Sequence, residues 1–225
     1  ELRHELLLRA VPRLGAQVEV HGAVRDVDAA LKALSRSGAT VVVGIPIQML
    51  ALARRAPKVA GVVRPPRVVL LSADRTSETL REALQEAWAC EVYDHYGATE
   101  MGFGGGVECE AHAGYHLREA DLLFEVVSLE TGQPAGPDTP GEVVVTTLTR
   151  TGMPLIRYRT GDLSHWVSGD CRCSSRLRLL APLGGRLSDA VRLRDGGRLT
   201  LAELDELVLA VGGVVDFKAG MDRHA

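Results

Sequence analysis

The sequence predicts an α/β protein: an open, mostly parallel sheet with flanking helices, then a β-rich subdomain, then the truncated start of a small α+β C-terminal domain. Three observations carry that expectation. Short β-branched runs alternate with helical patterns as far as Tyr96. Beyond Gly106 the helical period disappears, and strand-like runs are separated by turns rich in Gly and Pro. Past Gly185 a hairpin-like stretch precedes one short helix. The divisions fall at residues 1–110, 111–184 and 185–225.

The elements follow in order. Leu2, Leu6, Leu7 and Leu8 with basic neighbours are compatible with a helix that Pro12 ends. Gln17–His21 alternates and predicts a strand. Asp26 is placed to cap a helix whose Val27, Ala30, Leu31 and Leu34 share one face, with Gly38 as the stop. Thr40–Gly44 is a continuous apolar run, the mark of a strand buried on both faces. Pro46 opens a helix to about Arg55. Arg67–Ser72 repeats the buried-strand pattern. Thr76 or Ser77 caps a helix with Leu80, Leu84 and Trp88 on one face, alongside Ala83 and Ala87. Cys90–Asp94 is the following strand. Such repetition gives right-handed crossovers and places ligands at the carboxyl ends of the strands.

In the second half, Leu122–Val127, Gly141–Thr146 and Leu155–Arg159 predict strands, separated by turn-rich residues 131–138 and 151–154. Val191–Leu199 resembles a hairpin around Asp195-Gly196, Leu201–Leu209 a short helix and Val214–Phe217 a last strand. No internal repeat or low-complexity segment appears.

Composition narrows the function. The chain has 225 residues, 46% hydrophobic and 24% charged, with a net charge of −3, ordinary for a globular protein. The charges are interspersed and show no basic excess, which argues against a nucleic-acid partner. No apolar run approaches the length of a membrane span, and Glu1–His4 lacks the layout of a secretory signal. Four unevenly spaced cysteines do not suggest a disulfide scaffold, so a reduced, cytoplasmic setting is expected. A homodimer is compatible with the sequence.

Chemistry concentrates in Tyr93–Gly106. Tyr96, Thr99 and Glu100 stand within five residues, followed by a glycine-rich loop that lets backbone approach a ligand. An aromatic face can stack on a base, a hydroxyl can donate to phosphate, and a glutamate can hold the magnesium that accompanies phosphates. The plain alternative is a strand-to-loop turn with an exposed acid. Asp162 after Gly161 either makes a turn with its own backbone or takes two ribose hydroxyls on its two oxygens. Cys171-Arg-Cys173, Cys109 and His116 together offer three thiolates and one imidazole, a tetrahedral zinc set, against free thiols as the alternative. His112 is the reserve ligand, and Cys90 is expected in the core.

Tyr96-Gly-Ala-Thr-Glu100 resembles the Y-G-x-T-E motif of the adenylate-forming (acyl/aryl-CoA synthetase) superfamily. Thr146–Asp162 is similar to the T-T-L-x-x-x-x-M-P-L-I-R-Y-R-T-x-D run of phenylacetate-CoA ligases, and Gly185–Asp189 sits where that family carries G-R-x-D-D. The resemblance implies that Tyr96 packs on adenine beside Gly97, and that Thr99 contacts the α-phosphate. It implies that Glu100 binds Mg²⁺, with Thr99 and Glu100 the catalytic pair. Asp162 takes the ribose, and Arg186 accompanies ribose and phosphate. Ser72, Ala73 and Asp74 resemble the segment lining the adenine and acyl pocket. The family's hinge residue is usually Asp; here Ser188 stands there, with Asp189 next.

Some relatives of this kind carry E-C-x(5)-G-x-H and C-x-C-G segments, which favours structural zinc at Cys109, His116, Cys171 and Cys173; Ser174 replaces the glycine. The implied reaction joins an aryl or acyl carboxylate to coenzyme A at the expense of ATP, through acyl-AMP. The resemblance is incomplete. No S-S-G-T-T-G-x-P-K-like phosphate loop is present, and Lys218 lies too early to be the family's distal lysine. The expectation is therefore the middle of such an enzyme, with little activity alone. The alternatives are a non-catalytic AMP-binding or partner-binding relic, or a related adenylyltransferase.

Overall fold

In the computed structural model, residues 2–59, 64–102, 104–193 and 197–220 are described, with backbone alone for 2–4 and 6. The first helix, α1 (Leu2–Ala10), passes into a 3-10 turn at Val11–Leu14, as Pro12 dictates. Asp26 caps α2 (Val27–Ser37), its side chain accepting from the Ala29 N–H, and Gly38 ends the helix in the left-handed region. β1 (Val41–Gly44), α3 (Pro46–Arg55), β2 (Val68–Ser72), α4 (Glu78–Trp88, capped by Ser77) and β3 (Glu91–Tyr96) follow. The three strands pair in parallel. Leu31, Leu50 and Leu84 from the helices meet Val69, Leu71 and Val92 from the strands in one core. Each such fully buried side chain contributes about 1.5–3 kcal/mol.

Some expectations fail here. Gln17–His21 forms no strand, and Val20 is 37% exposed. An alternating pattern needs a neighbouring strand to pair with, and none lies beside it among the described residues, so three parallel strands form rather than four. β1 is an edge strand with Val41 53% and Val43 47% exposed, not a strand buried on both faces. Val214–Phe217 is not a strand either; Phe217 packs against the first core.

The first sheet then turns antiparallel. β4 (Gly106–Glu108) pairs with β3, and β5 (Tyr115–Leu117) with β4. A second sheet begins with β6 (Leu122–Val127), β7 (Gly141–Thr147) and β8 (Tyr158–Ser164). Leu155–Arg157 stays outside β8 because Arg157 is left-handed (φ 48°), which extended backbone cannot accommodate. β9 (Leu179–Leu180) returns to the first sheet beside β5, and β10 (Gly185–Arg186) joins the second beside β8. The sheet orders are β1-β2-β3-β4-β5-β9 and β10-β8-β7-β6. Phe124, Val126, Val143 and Val145 of the second sheet pack on Tyr96, Tyr115, Leu117 and Leu180 of the first. Tyr96 therefore sits where the two sheets meet.

β11 (Ala190–Arg192) and β12 (Arg198–Thr200) pair antiparallel, as a hairpin would; its turn at Asp195-Gly196 lies outside the described residues. α5 (Leu201–Val208) opens with a capping box between Thr200 and Glu203. No described helix is long and apolar enough to cross a membrane.

Candidate functional site

Strand period places Asp94 and Tyr96 on one face of β3, both buried, while His95 turns the other way toward the Ser72 hydroxyl at 3.1 Å. The chain then bends at Gly97, where a Cβ would lie 2.7 Å from the Gly104 backbone, so only glycine fits. Thr99–Met101 is a single 3-10 turn.

β8 is shaped to aim Asp162. A bulge lies between Glu142 and Val144 of β7, and the buried Glu142 carboxylate binds the Arg159 Nε at 2.7 Å and the Gly161 N–H at 3.1 Å. Thr160 donates to the Val143 carbonyl (2.8 Å) and accepts the Asp162 N–H (3.0 Å). Arg186 of β10 stands opposite Asp162 in register. The result is a three-member contact. The Tyr96 hydroxyl donates to Asp162 Oδ2 at 3.0 Å, and Arg186 Nε donates to Oδ1 at 2.7 Å. Asp162 is 1% exposed. Burial and the Asp162 charge push the Tyr96 phenol far above its ordinary value, so it remains a donor. The same charge raises Arg186.

These groups line a cavity of about 220 Å³. Ala73, Asp74, Tyr96, Gly97, Asp162 and Arg186 all border it, so the structure gathers these sequence candidates from four separate stretches. Ala73 holds a left-handed backbone (φ 78°) at its edge, a strained conformation for a residue with a Cβ. Ser72, Thr99 and Glu100 do not border it. Thr99 is exposed on its turn, and Glu100 accepts the Tyr158 hydroxyl at 3.1 Å on Oε1. Arg150 donates to the Glu100 carbonyl at 2.6 Å.

Sequence reasoning missed a second buried pair in the same cavity. Tyr115 donates to Asp94 Oδ2 at 2.6 Å, and its ring lies 5.7 Å from that of Tyr96. Glu108 accepts both Arg81 contacts (3.0 and 3.1 Å) and the Asp94 N–H (2.8 Å). Burial, then Glu108, push the Asp94 carboxyl up, against the pull of Tyr115 and Arg81. The expected strand stopped at Asp94, whereas β3 runs on to Tyr96 and sets the two side chains on one face; nothing local named Tyr115. Arg75, Thr200, Leu201, Ala202 and Asp205 form much of the outer wall. Arg75 reaches Asp205 (3.4 Å) and Glu206 (3.0 Å), and so ties α5 to the loop after β2.

A second cluster lies along the same strands. The ligand atoms of Cys109, His116, Cys171 and Cys173 all fall within 4.8 Å of one another. Cys109 and Cys171 sulfurs are 3.6 Å apart, and Cys173 Sγ is 3.2 Å from His116 Nε2. His116 Nδ1 faces the Leu177 carbonyl at 3.3 Å, which leaves Nε2 as the ligand nitrogen. Burial raises the Cys109 thiol to about 11, while hydrogen bonds led by the Cys173 backbone lower Cys171 to about 7. His112 stands apart, stacked on Tyr93 at 5.0 Å with Nδ1 3.5 Å from Glu108. Cys90 is core, as expected.

A model of the AMP-binding enzyme family matches residues 8–149. The phenylacetate-coenzyme A ligase of Thermus thermophilus is 34% identical over 149 residues, covering 65% of this chain and 33% of its own length. That of Escherichia coli K12 is 30% identical over 145 residues, covering 64% and 32%. The chain spans about a third of the length of the curated relatives it matches. A 2-hydroxyisobutyryl-CoA ligase in its postadenylation state, in complex with R3-HIB-AMP, shares the fold with a TM-score of 0.76 at 22% identity, over 85% of this chain and 42% of its own. An anthranilate CoA ligase in complex with anthranoyl-AMP gives 0.67 at 17% identity, over 89% and 40%.

Proposed function

This chain belongs to the AMP-binding enzyme family, and from that premise we propose that its cleft is the nucleotide part of an acid-CoA ligase site of the phenylacetate-CoA ligase kind. Tyr96 packs its ring on adenine. Asp162 accepts from the two ribose hydroxyls, with Arg186 beside it. Thr99 contacts the α-phosphate. The carboxylate substrate attacks that phosphorus and pyrophosphate leaves; the coenzyme A thiol then attacks the acyl carbon of acyl-AMP, and AMP leaves. Glu100 would hold Mg²⁺, which would offset charge at the phosphates. The observation that carries this reading is the Tyr96–Asp162–Arg186 contact on one cavity wall. The cavity is small beside the roughly 300–1,000 Å³ of most ligand pockets. It suits a nucleoside rather than a whole acyl-AMP, in keeping with the exposed place of Thr99 beyond Gly97.

Cys109, His116, Cys171 and Cys173 fit a structural zinc. The donors are three sulfurs and one imidazole, closely grouped, and the His116 tautomer is fixed by Leu177. Zinc would stabilise the end of the first sheet there and takes no part in the reaction.

Without a phosphate loop among these residues, ligase turnover by this chain alone is expected to be little or none, while AMP still binds weakly. Calorimetry with AMP and a non-hydrolysable acyl-AMP mimic tests this. Heat of binding is expected, and a well-folded sample that binds neither overturns the reading. The place of Thr99 and Glu100 outside the cavity favours a second reading, a non-catalytic nucleotide-binding relic. Pyrophosphate exchange above background with a panel of aryl acids requires an enzyme and excludes the relic; without exchange, an acyl-AMP mimic that binds more tightly than AMP supports the ligase site, and no gain from the acyl group supports the relic.

A further inference from the structure

Two five-residue motifs in this chain have the same form. Tyr96–Glu100 and Tyr158–Asp162 each open with a tyrosine and close, four residues later, on an acid. They sit on different sheets, and each tyrosine finds the other motif's acid. Tyr96 donates to Asp162 at 3.0 Å, and Tyr158 donates to Glu100 at 3.1 Å. We propose that this is a reciprocal clasp, in which Tyr158 is a positioning residue that holds the Glu100 carboxylate ready for a divalent cation. The inference rests on the reading of Glu100 as the magnesium carboxylate.

The physical argument is one of ordering. A glutamate on a surface turn samples several rotamers, and a cation must meet the cost of fixing one of them. Glu100 follows an exposed threonine on a single 3-10 turn, so its backbone supplies little constraint. The Tyr158 hydroxyl takes Oε1, and Oε2 makes no hydrogen bond among the described residues. An oxygen left uncommitted on a carboxylate already fixed by its twin is a preorganised metal donor. Glu100 also raises the Tyr158 phenol, mainly through their hydrogen bond, so the donor proton stays in place at neutral pH. Arg150 secures the same residue from the backbone side, through the Glu100 carbonyl.

The test is Tyr158→Phe, which leaves the half-buried ring and removes only the hydroxyl. Mn²⁺ is titrated by electron paramagnetic resonance in the presence of α,β-methylene-ATP, and metal-free AMP binding is measured by calorimetry. Tyr158→Phe is expected to weaken Mn²⁺ about fivefold, the size of one net hydrogen bond, while AMP affinity changes less than twofold. In a Glu100→Gln background the same change is expected to have no further effect on Mn²⁺. Unchanged Mn²⁺ affinity in Tyr158→Phe overturns the clasp. So does an equal loss of AMP and Mn²⁺ binding, which marks a purely structural role. A wild-type chain that binds neither AMP nor Mn²⁺ with the nucleotide sinks the proposed function itself, and the clasp with it.

Discussion

The cleft around Asp162 and the cluster around Cys109 lie along the same strands, yet opposite means hold them together. β4 ends at Glu108, which supports the cleft through Asp94, and the next residue is Cys109. On β5, Tyr115 borders the cavity and His116 joins the cluster. In the cleft, the carboxyl groups already have partners: Asp162 has Tyr96 and Arg186, Glu108 has Arg81, Asp94 has Tyr115. In the cluster, the contacts are sulfur to sulfur at 3.6 Å and sulfur to imidazole at 3.2 Å. Thiols are weak donors and weak acceptors, so such contacts contribute little by themselves. The cleft is thus complete as a piece of protein before any ligand arrives. In the proposed reading, the cluster is complete only with its metal.

Removing the metal should therefore have the largest effect. The chain is expected to carry one zinc, and chelation or Cys173→Ser is expected to lower the melting temperature by about 10 °C. That corresponds to about 3–5 kcal/mol in a chain of this size, part of the binding energy of a structural zinc. Elemental analysis with melting curves before and after chelator checks this. A chain purified without zinc, and indifferent to chelator, would erase the distinction between the two regions.

Asp162→Ala comes next, and it tests the cleft's half of the contrast. It leaves the buried Tyr96 hydroxyl without its acceptor, at a cost of about 1–3 kcal/mol. Arg186 adds little, because its side chain is 55% exposed and water can serve it. AMP affinity is expected to fall at least tenfold while zinc content is unchanged. Asp162→Asn keeps an acceptor for Tyr96, so it should recover most of the stability and little of the binding. Urea unfolding and calorimetry on the two variants separate these effects.

The two regions were also unequally legible. Tyr96, Gly97 and Asp162 could be read because each lies in a short local motif. What pairs with them was not local. Tyr115 reaches Asp94 only because β5 folds back on β4, and the cluster closes only because β9 brings residues 171–173 to β5. The choice of His116 over His112 depends on the same fold: one sits on β5, the other in a left-handed turn (φ 48°) facing Glu108. Ser174 shows a local rule surviving a changed residue. It stands at the glycine position of the C-x-C-G segment that this stretch resembles, and its φ of 65° is the conformation that favours glycine. The run Val41–Val43 illustrates the converse, since three valines look the same in a central strand and at an edge. Gln17–His21 had the right alternation and, among the described residues, no strand to pair with.

The smallest expected effect concerns the outer wall of the cleft, and it asks whether carboxylate pairing holds that wall too. Glu206 of α5 accepts the N–H groups of Glu78 (3.1 Å) and Thr79 (3.0 Å) in the first turn of α4, as well as Arg75. One helix thereby caps another, with the negative charge at the favourable end of the α4 dipole. Burial pushes the Glu206 carboxyl up, but the Thr79 and Glu78 N–H groups and Arg75 outweigh it and hold it below the ordinary 4.5. A depressed folded-state value means a stabilisation fully present above pH 4.5 and lost as the pH falls through the lower folded value. Asp205 beside it is raised, chiefly by burial, and contributes with the opposite sign, so the wild-type pH profile alone is ambiguous. The difference between wild type and Glu206→Gln isolates the charge, since Gln retains an acceptor oxygen. It is expected to be about 0.5–1 kcal/mol at pH 7 and smaller at pH 3, measured by urea unfolding at both. A deficit of the same size at both values would mean that shape, not charge, keeps α5 against the cleft.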